Sequence, residues 1–192
     1  MVWKFRLIKY LFLFLFICSQ SFALEKWVIN TSKSSINFSI PVLLAEDVTG
    51  NFKKFTGFIE VDRKNFEGVA NVIIDINSIN TNYDLDYGDL IRSDVFFNIF
   101  QFPKASIKTK DFLINKKDNT AYAYATVSIK GNEKDFKIPL SYNLQGSDKA
   151  IAKGTFTFKR TDFEIGTGIW SNTLILKDEV KVNVSLTLDL VK

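Results

Sequence analysis

The chain has 192 residues, 25 Lys and Arg against 21 Asp and Glu, a net charge of +4, one cysteine and no histidine. That inventory excludes zinc sites built on His and Cys, Ser-His-Asp triads, thiol nucleophiles in the mature chain and haem held by His or Cys. A carboxylate pair or a lysine base leaves no readable signature, so the chain is read as a non-enzyme without a metal or catalytic cofactor.

Residues 1–23 read as a secretory signal peptide. Met1 to Lys9 carries Lys4, Arg6 and Lys9 with no acid, Tyr10 to Ile17 is apolar, and Ser21-Phe22-Ala23 supplies the small residues of a cleavage site after Ala23. The apolar core is shorter than the roughly 20 residues a spanning helix needs. Ile17 before Cys18 argues against a lipidated cysteine. Cleavage removes the only cysteine and leaves 22 basic residues against 21 acidic ones, a balance that points to neither nucleic acid nor an anionic surface. The expected product is a secreted, periplasmic domain over 24–192, long enough to bury a core without disulfides.

In chain order, Trp27 to Ile29 and Ile36 to Ile40 read as an opening strand with a break around Thr31 to Lys33, ended by Pro41. Val48 to Phe55 and Gly57 to Val61 read as a pair or as one bent strand, with Lys53-Lys54 suggesting a bulge. Gly68 to Ile76 follows, joined to its predecessor by a tight turn at Asp62 to Asn65. Ser78 to Phe102 breaks the pattern: Leu85, Leu90 and Ile91 at helical spacing predict one helix, and Ser93 or Asp94 caps a second that carries Phe96, Phe97 and Phe100. This insertion reads as a lid, its aromatics closing one barrel end or touching a ligand. Strands resume at Ala105 to Ile114, Thr120 to Lys130, Asp135 to Leu144 and Ala150 to Lys159, with hairpin signals at Gly131-Asn132 and Gln145 to Asp148.

The closing segment, Val180 to Leu190, alternates Val, Val, Val, Leu, Leu and Leu with Lys181, Asn183, Ser185, Thr187 and Asp189. That is the period of a strand with one buried and one wet face. Short alternating strands of this kind predict an all-β fold, an antiparallel barrel of about eight strands with a short helical insertion. Ala121, Ala123 and Ala125 share the inward phase of Val127 and Ile129, which either leaves room for a ligand or lets neighbouring phenylalanines fill the interior.

Several stretches carry a resemblance. These are Trp27-Val28-Ile29-Asn30, Ser34 to Phe38, Gly50 to Gly57, Ser78 to Thr81, Leu90 to Phe97, Phe102-Pro103, Ile129-Lys130-Gly131 and Phe158 to Gly166. In this order and spacing, with the closing strand, the chain resembles the YceI-like family of secreted lipid-binding proteins. The resemblance implies a lipocalin-like barrel whose apolar tunnel holds a long-chain amphiphile: a polyisoprenoid, an isoprenoid quinone or a fatty-acid amide. It also allows a homodimer. Three positions depart from the family pattern: Lys33 and the Pro41-Val42 region stand where relatives often carry histidine, and Asn98 where aspartate is frequent.

Strand parity nominates Phe38, Ile40, Phe52, Val72, Ile74, Ile107, Val127, Ile129, Phe156, Phe158, Phe163, Trp170, Leu186 and Leu188 as ligand lining, Trp170 either lining the tunnel or packing under the 166–168 loop. Arg92, Asp94, Arg160 and Asp162 read either as a polar collar for a head group or as ion pairs tying the insertion to the barrel, the second being favoured. The function expected is a carrier for a long-chain amphiphile, serving transport, storage or stress protection. The alternatives are a filled-core interaction protein and a small outer-membrane barrel.

Overall fold

The computed structural model describes residues 24–62, 65 and 67–191, so the signal peptide predicted for 1–23 lies outside the described residues. Eleven strands and one α-helix follow in order: β1 (Glu25–Ile29), β2 (Ser35–Ile40), β3 (Val48–Phe52), β4 (Phe55–Asp62), β5 (Glu67–Asp75), β6 (Ile79–Thr81), α1 (Asp84–Arg92), β7 (Lys104–Asn115), β8 (Thr120–Ile129), β9 (Asn132–Gln145), β10 (Lys149–Lys159) and β11 (Glu179–Leu190).

Six of these segments are halves of three interrupted strands. β1 and β2 lie end to end along β11, which pairs its Leu188–Leu190 end with β1 and its Lys181–Ser185 end with β2. β4 continues the wall beside β1 and β3 beside β2, while β5 flanks β4 and β6 flanks β3. With each interrupted strand taken as one, eight antiparallel strands follow one another around the ring and close where the first meets the last, the expected barrel.

The interruptions fall at one height. The Thr31–Lys33 turn reaches the second strand through the Thr31 hydroxyl, which donates to the Phe55 carbonyl at 3.0 Å. Lys53 N–H donates to the Ser78 carbonyl and Asp75 N–H to the Lys54 carbonyl, at 3.1 and 3.0 Å. The Lys53-Lys54 interruption is therefore a break within one bent strand, shared with both neighbours. A register shift of the bulge type occurs instead between Thr109 and Asp111 on β7.

On one side of this line the barrel is solid. Trp27, Ile29, Phe112, Ile138, Leu186 and Leu188 are buried there together with Ala123 and Ala125, and Ala121 in the same phase is buried too. Phe112 and Ile138 sit in register on either side of Ala123, and Phe136 beside Ala125, so large side chains on the neighbouring strands occupy what the alanines leave. A Cβ on Gly57 would meet Ile29 Cδ1 at 2.9 Å and the Asn71 carbonyl oxygen at 2.4 Å, so glycine lets the isoleucine into the centre.

β9 and β10 pair only from Gln145/Lys149 to Leu140/Gly154, after which β9 stays with β8 and β10 with β11. Phenylalanines fill that split. Phe163 is fully buried, stacked on Phe136 at 6.4 Å and edge-on to Phe158 at 5.1 Å, with Phe156 5.8 Å from Phe136.

The insertion holds one helix rather than the two predicted. α1 places Asp84 and Asp86 in its first turn and Arg92 in its last, favourable at both ends of the helix dipole. Beyond Ser93 the chain makes successive turns, and Asn98 takes a left-handed conformation (φ 46°) that no helix can continue through. Phe96 and Phe97 turn inward, but Phe100 is 97% exposed and closes nothing. The β8–β9 turn is Lys130-Gly131, both at positive φ, one residue earlier than the Gly131-Asn132 signal placed it.

Candidate functional site

The other side of the break line is hollow. A cavity of about 330 Å³ is walled by β2, β3 and β6, the facing ends of β5, β7, β8, β10 and β11, one flank of α1, and residues 165–176. Its shape follows from the breaks, because beyond them β2, β3 and β6 form a separate panel while α1 crosses over the opening between that panel and β7. Gly50 on β3 matters here. A Cβ at that position would lie 2.4 Å from Phe38 Cζ, so glycine lets the Phe38 ring rest against the wall, 5.6 Å from Phe52, instead of projecting across the space.

Ten predicted lining residues border the cavity: Phe38, Ile40, Phe52, Ile74, Ile107, Val127, Ile129, Phe156, Phe158 and Trp170. Four do not. Val72, Leu186 and Leu188 lie past the break line in the solid half, and Phe163 is wedged in the β9–β10 split. Alternation reports which face of a strand is inward but not how deep along the barrel a residue sits. The same parity should have named Ile36, Val48, Val180 and Val182, which also border the cavity. Tyr83, Tyr87, Leu90, Phe96, Phe97, Ile165 and Leu176 come from the helix and loops, where no strand period exists to find them.

Among the described residues, no lysine, arginine, aspartate or glutamate lines the cavity. Its polar side chains are Thr81, Tyr83, Tyr87, Ser106 and the Trp170 indole. Thr81 Oγ1 accepts from Tyr83 N–H at 3.2 Å, and the Tyr83 hydroxyl donates to the Glu46 carbonyl at 2.9 Å. An aromatic row, Tyr83, Tyr87, Trp170 and Phe96, runs along the mouth with ring centroids 5.8 to 6.1 Å apart.

The charged residues act behind the wall, none of them lining the cavity. Arg92 pairs with Asp84, not Asp94, at 3.1 Å, and also donates to the carbonyls of Gly88 and Ile79, tying α1 to β6. Arg160 is fully buried and donates four hydrogen bonds, to the carbonyls of Ile165, Gly166, Leu176 and Lys177, at 2.9 to 3.2 Å. It thereby folds the 164–177 loop over the barrel end through carbonyls where an Arg-carboxylate pair was expected. Burial lowers its pKa from the ordinary arginine value, with Asp178 pulling the other way. Asp178 instead accepts from the Thr161 N–H and hydroxyl. Lys130 Nζ donates to the carbonyls of Asp94 and Glu164, both at 2.7 Å, joining the two loops that flank the cavity. Asp162 is exposed, and Asp94 accepts the Lys130 hydrogen bond through its backbone carbonyl.

A model of the YceI-like domain matches residues 27–188, nearly all of the barrel. The chain belongs to the YceI-like family. Solved structures agree on the fold. BcnA from Burkholderia cenocepacia is 24% identical with a TM-score of 0.75, the match covering 83% of this chain and 98% of that one. A polyisoprenoid binding domain from Saccharophagus degradans, implicated in plant cell wall breakdown, is 18% identical with a TM-score of 0.67, covering 86% and 98%. The YceI protein of Campylobacter jejuni is 23% identical with a TM-score of 0.67, covering 79% and 90%. No curated protein sequence matches the chain. The YceI-like expectation drawn from the sequence thus holds for family and fold, and ten of the fourteen predicted lining residues border one cavity.

Proposed function

We propose that this YceI-like protein is a periplasmic carrier that holds the chain of a long amphiphile, a polyisoprenoid, an isoprenoid quinone or a fatty-acid amide, in the hollow half of the barrel. The observation that carries the reading is a cavity of about 330 Å³ with no charged side chain in its lining. Sites of this size and character accept small apolar ligands. Each methylene moved from water into such a lining gains about 0.8 kcal/mol, so ten supply about 8 kcal/mol before ordering costs, the scale of micromolar binding. The Thr81 and Tyr87 hydroxyls and the Trp170 indole suit an uncharged head carrying a hydroxyl, carbonyl or amide oxygen. The shared fold with a polyisoprenoid binding domain from Saccharophagus degradans supports the same class of ligand. The absence of histidine, and of any cysteine beyond Cys18 in the predicted signal peptide, removes the common nucleophile–base designs and favours binding over turnover.

The outward face of β11, with Lys181, Asn183, Ser185, Thr187 and Asp189, suits water and not lipid, which speaks against the outer-membrane alternative. Native mass spectrometry of the protein from its own periplasm, followed by extraction, tests the carrier reading. A stoichiometric polyprenyl or acyl species is expected. A protein that carries none and takes up neither polyprenol, quinone nor fatty amide would overturn it in favour of a filled-core interaction protein. In the double variant Ile107→Gln/Ile129→Gln, uptake should be lost while the barrel stays folded by circular dichroism.

A further inference from the structure

The loops around the cavity mouth present large aliphatic side chains to solvent. Leu44 is 99% and Ile169 87% exposed, and Leu43, Leu174 and Ile175 are each about half exposed or more. They converge through the backbone: Leu43 N–H donates to the Ile175 carbonyl at 2.9 Å, Lys177 N–H to the Pro41 carbonyl at 3.0 Å, and Val42 bridges Leu176. Val42, Trp170, Ile175 and Leu176 also line the cavity, so the exposed rim and the apolar interior form one continuous surface. Soluble domains rarely spend several exposed leucines and isoleucines on one edge, and such patches mark interaction sites. Leu44 adds an independent sign. It holds a left-handed backbone (φ 58°), unfavourable for a branched side chain, in a position where its own side chain gains no burial.

The chemistry around the rim selects the partner. The nearby charges on the 41–47 loop and α1 are mainly acidic, Glu46, Asp47, Asp84, Asp86 and Asp89, and the one cation there, Arg92, is paired with Asp84 at 3.1 Å. The one lysine in the adjoining segment, Lys177, donates its ammonium to the Leu174 carbonyl at 3.2 Å. Such a rim repels an anionic surface and offers no basic patch for lipid phosphates. The bases of the two loops are paired to one another through Leu43 N–H to the Ile175 carbonyl and Lys177 N–H to the Pro41 carbonyl, which reduces the number of backbone groups that an apolar layer would desolvate.

We infer that the rim formed by Leu43, Leu44, Ile169, Leu174 and Ile175 docks the barrel, mouth first, on the surface of an electrically neutral phospholipid bilayer. Ligand then passes between membrane and cavity without crossing water. The inference rests on the carrier reading for its purpose, but the two fail separately, because docking is measured on protein with no ligand added.

The test is sedimentation of the purified protein with phosphatidylcholine vesicles, and with vesicles containing half phosphatidylglycerol, at low salt. Binding to the neutral vesicles is expected, weaker on the anionic ones. The triple variant Leu44→Ser/Ile169→Ser/Leu174→Ser should lose at least tenfold in vesicle affinity while taking up polyprenol or quinone from detergent as the parent does. A parent protein that stays in the supernatant with phosphatidylcholine overturns the inference, as does binding that requires the anionic lipid. So does a concentration-dependent dimer that the triple variant abolishes, since a second copy would then cover the rim.

Discussion

The two halves of this barrel use the same strands for opposite ends. Past the break line, Phe112, Ile138, Trp27 and Leu188 pack around the alanine row, and burial of apolar side chains is the main interior interaction of that half. Before the line, the strands splay into a panel of β2, β3 and β6, and side chains of the same type line a space. What keeps that half from collapsing is polar: Arg160 under the 164–177 loop, Arg92 between α1 and β6, and Lys130 between the flanking loops. A hollow cannot be held open by the attraction of its own walls. Directional bonds behind the walls do it instead.

The largest effect that sharpens this contrast is expected at Arg160. Arg160→Met removes the donor from four carbonyls and should cost about 1–3 kcal/mol for each carbonyl left without another partner. Urea unfolding measures it, and a loss below about 1 kcal/mol would remove Arg160 as the support of the hollow half. Next come paired truncations. Ile138→Ala in the solid half should cost about 2–5 kcal/mol and leave ligand uptake unchanged, whereas Ile175→Ala at the mouth should stay within about 0.5 kcal/mol, because it opens little new cavity. Equal costs would mean that the halves are packed alike.

Tryptophan fluorescence reports the same division without perturbing stability. Trp27 lies in the solid half and Trp170 on the cavity. Adding quinone should quench emission in the parent and in Trp27→Phe, and the quenching should vanish in Trp170→Phe. The smallest effect concerns Lys130, whose pKa burial pushes below the ordinary lysine value, with Glu164 and Asp94 partly opposing. The unfolded chain then holds this proton more tightly than the folded one. Stability attributable to Lys130 should therefore rise as pH climbs from its lowered pKa toward the ordinary lysine range, and Lys130→Met should lose that rise in thermal melts.

The sequence made the barrel legible because its signal is local. In β11 every second residue from Val180 to Leu190 declares a face, and the Thr31–Lys33 and Lys53-Lys54 interruptions stand out as polar gaps in apolar strands. The site was legible only through the strands that reach it, such as Phe38, Ile129 and Phe158. Leu188 shares a face with Val182 but sits three inward positions deeper, and depth depends on where neighbouring strands break, which no single strand encodes. Phe163 misled because its burial is real but belongs to the β9–β10 split. Phe100 and the second helix misled because the phenylalanine spacing fits a helix that Asn98 interrupts. Tyr83, Tyr87 and Leu176 left no pattern to read, being placed by loop hydrogen bonds between segments far apart in the chain.

The three aligned interruptions also have a mechanical meaning. Three adjacent strands are interrupted at Thr31–Lys33, Lys53-Lys54 and Ile76–Ser78, whereas on the opposite wall β8 to β11 are each continuous strands, parted only where β9 leaves β10 beyond Leu140. The molecule is a stiff cup with a compliant collar, hinged along three adjacent strands at a single latitude. For the proposed carrier, tilting the β2–β3–β6 panel outward would change the bore while leaving β8 to β11 in place, which would let one scaffold grip chains of different girth.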